Sequence, residues 1–360
     1  MTPPRLAVWP PLPPTAYVRK TRAPFPLEDR RCVLNALGRH GLWHGVRALG
    51  LGEGDEVLVP AYHHGSEIEA LARAGVECRF YEASETLEPV TRELEAALTP
   101  RTRALLIVHY IGFPQDSEGW RRWCDEHGLL LLEDAAQAWL ASASGRPVGS
   151  FGDLSIFCLY KTFGFPDGSA LVSAAPTPEI ESRRPSGLAG LALRHGAWAM
   201  SRFGPIAALG SRLQRDKDYS PEEDFALGDP ASSPSSATLF LLGRVANADA
   251  APRRRANYAF LLERLSELVL RPFERVPDGA SPFFFPVETD RKDELLGWLA
   301  QRGVDALDFW SVAHPSLPSG FPRARALRTR VVGLPVHQEL RRRDLERIAD
   351  TVLEWRPSTS

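Results

Sequence analysis

Residues 129–138 read LLLLEDAAQA: four leucines run directly into Glu133 and Asp134, and Gln137 follows three positions later. A short apolar run bounded by polar residues suits a strand buried on both faces. Such strands belong to parallel sheets, whose carboxyl ends deliver side chains to a ligand crevice. A second run, Leu154–Tyr160, ends on Lys161. The chain has only four lysines, and Lys20, Lys217 and Lys292 sit beside charged residues, where a solvated cation is the ordinary reading. Arginine already serves as the surface cation. A lysine at a buried strand end therefore suggests a task that a guanidinium cannot perform, such as forming a Schiff base through an amine. Taken singly, Lys161 also fits a snorkelling strand-end residue and Asp134 a loop residue or helix cap; the combination with Gln137 favours chemistry.

Outward from these runs, strands and helices alternate. Glu56–Val59, Val76–Tyr81, Leu105–Tyr110, Leu129–Leu132, Leu154–Tyr160 and Ala170–Ser173 read as strands. Ser66-Glu-Ile-Glu69 reads as a capping box opening a helix, Arg92–Leu98 as a helix, and Ser117–His127 as a helix stopped by Gly128. Leu27 to about Leu51 has a helical pattern broken by Gly38 and Gly41. The alternation predicts an α/β fold with a mostly parallel central sheet and helices on both faces. Further on, Ala237–Leu268 reads as helix, and Phe283–Val287, Asp290–Arg302, Val331–Leu334 and Arg341–Trp355 read strand, helix, strand, helix, a small C-terminal α+β domain. The expected organisation is an extended, proline-punctuated arm over 1–26, a large domain over 27–240 with a divergent, insertion-like segment at 175–237, and a small domain over 241–360. Gly187–Leu213, with its tryptophan and scattered arginines, fits core or subunit packing better than a membrane surface.

The 360 residues are enough for one large and one small domain, and 44% hydrophobic with 24% charged residues is ordinary globular composition. A net charge of −2 without a basic stripe gives no reason to expect nucleic acid. No charge-free stretch is long enough to span a bilayer, and the start of the chain does not resemble a signal peptide. Four widely spaced cysteines read as reduced thiols in a cytoplasmic protein. His63 and His64 are adjacent, so an extended strand would send their rings to opposite sides; no metal site is expected.

Five stretches carry a resemblance: GLGEGDEVLVPAY (50–62), LTPRTRALLIVHYIG (98–112), LLEDAAQA (131–138), GRPVGSFGD (145–153) and KTFGFPDGSALVS (161–173). In this combination the chain resembles the nucleotide-sugar aminotransferases of the DegT/StrS type, which are pyridoxal-phosphate enzymes of fold type I. The resemblance implies that Lys161 holds pyridoxal 5'-phosphate as an aldimine and moves the α-proton. It implies that Asp134 keeps the ring nitrogen protonated and that Gln137 donates to the phenolic oxygen. It places Gly38-Arg39-His40 at the phosphate, Cys158 where a phosphate-binding serine is expected, and His64 over the ring. It further implies that His109 and His314 line the substrate side. A small-molecule amino donor, a carbonyl acceptor and a homodimer follow from the same likeness. Other pyridoxal-phosphate chemistry (elimination, decarboxylation or condensation) and a non-catalytic, cofactor-binding regulatory relative remain as alternatives.

Overall fold

The computed structural model describes residues 4–82, 84–177, 185–203, 206 and 221–355; Lys217 and the end of the Gly187–Leu213 stretch lie outside them. Seven strands form the central sheet: β1 (Cys32–Asn35), β2 (Glu56–Pro60), β3 (Glu77–Tyr81), β4 (Thr102–Val108), β5 (Leu130–Asp134), β6 (Leu154–Cys158) and β7 (Ser169–Ser173). Their spatial order is β1-β7-β6-β5-β4-β2-β3. Neighbours from β6 to β3 are parallel, and β7 alone runs against the rest, antiparallel to both β6 and β1.

Strand alternation divides the sheet's side chains between two apolar layers. Val57, Val59, Leu106 and Leu132 pack with Leu42, Val46, Ile68 and Leu71 from helices α1 (Gly38–Ala48) and α2 (Ser66–Arg73). Leu58, Leu105, Ile107 and Leu131 pack on the other side with Leu94, Trp120, Trp123 and Cys124. Each of these fully buried aliphatic side chains contributes about 1.5–3 kcal/mol relative to exposure. α1 lies hard against β6 and β7, close enough that a methyl at Gly45 would collide with Leu154 and Leu171.

The C-terminal part is an antiparallel sheet of Phe284–Glu288, Val331–Pro335 and Leu307–Asp308, covered by helices Ala250–Leu265, Lys292–Gln301 and Arg342–Trp355. The arm is ordered because it lies on other parts of the chain. Leu6 and Ala7 pair in parallel with Val304 and Asp305, Leu6 and Val8 enter the C-terminal core, and Leu12 enters the core beneath β7. Among the described residues no helix is long and apolar enough to cross a membrane.

Several sequence expectations need correction. Residues 32–35 are strand, not helix: their partner is β7, and that pairing overrides the local helical pattern. The run ending at Tyr160 leaves strand geometry at Cys158, so Lys161 sits in a short helix, Leu159–Thr162. The pattern at 237–268 is two helices, Ser236–Val245 and Ala250–Leu265, separated where Ala246 is extended. At α2 the N-terminal donors are satisfied by Glu67, which accepts from the backbone N–H of His64 (2.9 Å) and Gly65 (3.0 Å), so no Ser66–Glu69 box forms. Lys292 is not solvated; it is 5% exposed and bonded to the carbonyls of Phe309 and Arg328.

Candidate active site

A cavity of about 350 Å³ opens at the carboxyl ends of β5 and β6, where the parallel-sheet rule places a ligand. Glu133 and Asp134 close β5 and, as successive strand residues, face opposite ways. Glu133 turns inward to the VGSFGD loop. It accepts from the backbone N–H groups of Gly149, Phe151 and Gly152, from Ser117 Oγ at 2.9 Å and from His109 Nε2 at 3.1 Å. Burial pushes its carboxyl up, but His109 and these donors outweigh that and hold it below the ordinary range. The co-occurrence of EDAAQA and VGSFGD is therefore one buried carboxylate wiring a loop.

Asp134 faces the cavity. Its Oδ1 accepts from Ala136 N–H at 2.8 Å, and burial, then the nearby Glu67, push its carboxyl up to about 6 against the pull of Lys161. Gln137 also lines the cavity. Its Oε1 accepts from the Ile111 N–H at 2.8 Å, which leaves Nε2, with its two donors, to the cavity. Ile111 is held at φ 60°, a left-handed conformation unfavourable for a β-branched residue, with this bond helping to fix it.

Lys161 lines the same cavity from the turn after β6, and its backbone is clamped from the C-terminal part. Arg254, fully buried in helix Ala250–Leu265, donates to the carbonyl of Thr162 at 2.7 Å and of Lys161 at 3.4 Å, and Gln338 Nε2 donates to Thr162 at 3.0 Å. Arg254 and Gln338 are site-forming residues that the sequence did not reveal. Across from Lys161 stands the N-terminus of α1, which has no side-chain cap and no acid in its first turn. Gly38 sits there against Cys158, whose Sγ would lie 3.1 Å from a Cβ at that position. Gly38, Arg39 and Cys158 all line the cavity. Arg39 is partly engaged already, with Nη1 donating to the carbonyls of Asp224 (2.8 Å) and Ala226 (2.6 Å). His40 points elsewhere, its Nε2 bonded to the Leu227 carbonyl at 2.8 Å, and only Gly38 and Arg39 of the expected trio are cavity residues.

The turn between β2 and α2 supplies His64 to the cavity, and the first turn of α2 supplies Glu67. His63 faces away as expected, stacked 5.6 Å from Phe80 and fully buried. His64 Nδ1 is paired with Ser66 Oγ at 3.1 Å, and burial pulls its pKa down to about 4, so its ring is neutral near pH 7. Glu67 was missed because a glutamate two residues into an amphipathic helix reads as surface. The remaining wall is mostly apolar, from Trp9, Phe283 and residues 307–312 with Phe309 and Trp310, and carries Asp308 and Ser311 among them.

Two expected substrate residues do not reach the cavity. His109 is fully buried and uses both ring nitrogens on protein: Nδ1 accepts from Gln115 N–H at 3.1 Å, and Nε2 faces Glu133. Topology put it at the correct strand end, but Glu133 draws its ring to the opposite side of the sheet from Asp134. His314 is bonded through Nε2 to Glu69 at 3.2 Å and through Nδ1 to Ser316 Oγ at 2.8 Å, joining α2 to the C-terminal part outside the cavity.

Residues 27–181 match the DegT/DnrJ/EryC1/StrS aminotransferase family. The chain is 31% identical over 341 residues to dTDP-3-amino-3,4,6-trideoxy-alpha-D-glucose transaminase of Streptomyces venezuelae, covering 88% of this chain and 81% of that one. It is 31% identical over 331 residues to UDP-N-acetyl-3-dehydro-alpha-D-glucosamine 3-aminotransferase of Acidithiobacillus ferrooxidans, covering 88% and 82%. The crystal structure of S. venezuelae DesV in complex with a ketimine intermediate matches with a TM-score of 0.66 at 30% identity, over 90% of this chain and 84% of that one. The mostly parallel sheet between two helical layers, with its smaller C-terminal layer, is the expected fold type I. By sequence over most of its length and by fold, the chain belongs to the DegT/DnrJ/EryC1/StrS aminotransferase family and is an aminotransferase.

Proposed function

We propose that the chain works with pyridoxal 5'-phosphate and moves an amino group from an amino acid donor to the carbonyl of a nucleotide-linked keto-sugar, the acceptor class suggested by the names of its relatives. The observation that carries this reading is the convergence of Asp134, Gln137 and Lys161 on one cavity that also receives the uncapped N-terminus of α1. These residues fit the cofactor. Asp134 is a buried carboxylate whose charged form lacks full compensation and would gain from a cationic ring N–H beside it. Gln137 Nε2 offers donors where a phenolic oxygen needs them. The first turn of α1, with Arg39, offers positive partial and full charge to a phosphate. Cys158 presents a weak sulfur donor where a hydroxyl is usual.

When bound, the cofactor supplies an electron sink for the bond that breaks at the substrate carbon. The chain's own residues do the rest. Lys161 Nζ would take up and release the proton that leaves the donor α-carbon. Asp134 holds the proton on the ring nitrogen. Gln137 Nε2 would donate to the phenolic oxygen and so orient the ring, and the neutral imidazole of His64 would offer it a flat neighbour. Elimination, decarboxylation and condensation use the same cofactor; stoichiometric conversion of an amino acid to its keto acid distinguishes transfer from all three. A non-catalytic, cofactor-binding relative could hold the cofactor on the same Lys161, and the same stoichiometric conversion distinguishes it. Borohydride reduction of the cofactor-loaded protein followed by peptide mapping should place the adduct on Lys161; label on another lysine would overturn the reading.

The same reading divides the chain into an arm (1–26), a cofactor domain (27–240) and a small domain (241–360). It includes a homodimer, supported by exposed apolar residues such as Val18, Leu188, Leu193 and Phe240, with Tyr17 resting on Phe240 and His195. Cytoplasmic placement is supported by cysteines that are all unpaired. Light scattering in solution tests the dimer.

A further inference from the structure

We infer that Glu67 is a positioning residue of the reaction: its buried carboxylate fixes the His64 turn and gives the cavity a second fixed anion beside Asp134, so that two carboxylates hold the protons of a bound cofactor. The inference rests on the cofactor reading above and deepens it. Glu67 is 4% exposed, yet it lines the cavity. Its two oxygens each accept one backbone N–H, from His64 and Gly65, and thereby tie the residue that faces the ring to the start of α2. A capping role needs only an acceptor, which a serine or an amide provides. A full negative charge in a dry site is more than a cap requires, and leaving it there is costly unless something opposite benefits.

The groups around it come from several elements. His63 and His64 flank it on its own turn, Asp134 faces it from β5, Cys78 from β3 and Tyr110 from the turn after β4. Lys161, Arg39 and Asp224 act on His64 across the cavity. Burial opposes the charge on Glu67, but His63, His64 and the two N–H donors prevail, and its carboxyl stays below the ordinary range. Two anions with Lys161 near them make an environment in which any basic nitrogen retains its proton to higher pH than Asp134 alone would allow.

Glu67→Gln keeps an acceptor and removes the charge. In the cofactor-loaded, full-length protein, the midpoint of the absorbance pH titration of the bound cofactor should fall by about one unit, the size expected for loss of one neighbouring charge. In the cofactor-free protein, the carboxyl midpoint of Asp134 should also fall, read by NMR of aspartate-labelled protein with the signal assigned by its loss in Asp134→Asn. Glu67→Asp, which keeps the charge, should leave both midpoints near wild type. If Glu67→Gln does not fold, Glu67→Ser takes its place with the same expected shifts. A lower melting temperature with both midpoints unmoved would make Glu67 a helix cap and overturn the inference. Failure of the wild-type protein to take up cofactor would instead sink the reading of the previous section, and the Asp134 titration would still decide Glu67.

Discussion

The strand-end wall of the cavity and the wall built from residues 307–312 each carry a lysine, half-buried Lys161 and buried Lys292, and the two are held in opposite ways. Lys292 Nζ reaches Asp308 Oδ1 at 2.6 Å, the Arg328 carbonyl at 2.7 Å, Ser311 Oγ at 2.8 Å and the Phe309 carbonyl at 3.3 Å. Arg328 continues the brace to the carbonyls of Trp310, His63 and Ala61. These bonds serve the shape of the wall. Lys161 Nζ has no protein hydrogen-bond partner among the described residues; only its backbone is clamped, by Arg254. Asp134 likewise spends one oxygen on a neighbour and carries its charge against burial. One wall uses its polar atoms for stability, and the other leaves them open to the cavity, at a cost in stability, for the proposed chemistry.

The largest expected effect tests the reactive wall directly. Lys161→Ala should lower turnover by about 10²–10⁴-fold, the range for loss of a positioned base, with the melting temperature of the cofactor-free protein nearly unchanged. Retained turnover would remove Lys161 from the reaction. Asp134→Asn should lower turnover by about 10–1,000-fold, the equivalent of one to three pKa units at the ring nitrogen. The same change should stabilise the cofactor-free protein. The folded pKa of Asp134, about 6, lies above the unfolded value of 3.8. Its burden is therefore absent below pH ~4, grows as pH rises to ~6 and is constant above, reaching on the order of 1–3 kcal/mol. Denaturant melts at low and neutral pH check this: a variant less stable than wild type at neutral pH would contradict the assignment.

Lys292→Met should do the reverse, lowering stability by about 1.5–3 kcal/mol through the loss of charge-assisted bonds to buried carbonyls. In kinetics it should raise KM more than it lowers kcat, because the loosened residues shape the cavity wall and include none of the proposed reacting groups. A kcat loss as large as that of Lys161→Ala would erase the distinction between the walls. The smallest effect is expected at His314→Gln, outside the cavity: a stability loss of about 0.5–1.5 kcal/mol, that of one hydrogen bond, and an unchanged KM. A large KM change would return His314 to the substrate side.

The parallel sheet and its strand ends were legible because a strand buried on both faces has to be apolar, and the polar residues that end it stand out. Helix Ser117–His127 was legible to the residue because Gly128, at φ 65°, is its left-handed stop. β1 was not, since its strand state depends on β7, more than a hundred residues away, and nothing local records the partner. Lys292 and Glu67 failed for a related reason: charged sequence neighbours say which residues are near in the chain, not whether the side chain points into carbonyls or a cavity. His109 was placed at the correct strand end and on the wrong face, because its direction is decided by Glu133, a bond between two strands.

β7 is the one reversed strand, and it is inserted between β1 and β6 although it follows both in the chain. The helix start that carries Gly38 hangs from β1, and the turn that carries Lys161 hangs from β6. A growing chain that ends before residue 169 can pair β2 to β6 among themselves and lay α1 on them through Leu42, Val46, Leu154 and Ile156, yet β1, from which Gly38 hangs, still lacks its strand partner. Binding competence should thus be completed only when that short hydrophobic strand slots home. Cofactor capture would then report a finished fold, and cofactor loss an early step of its undoing, because both hinge on the same non-local pairing.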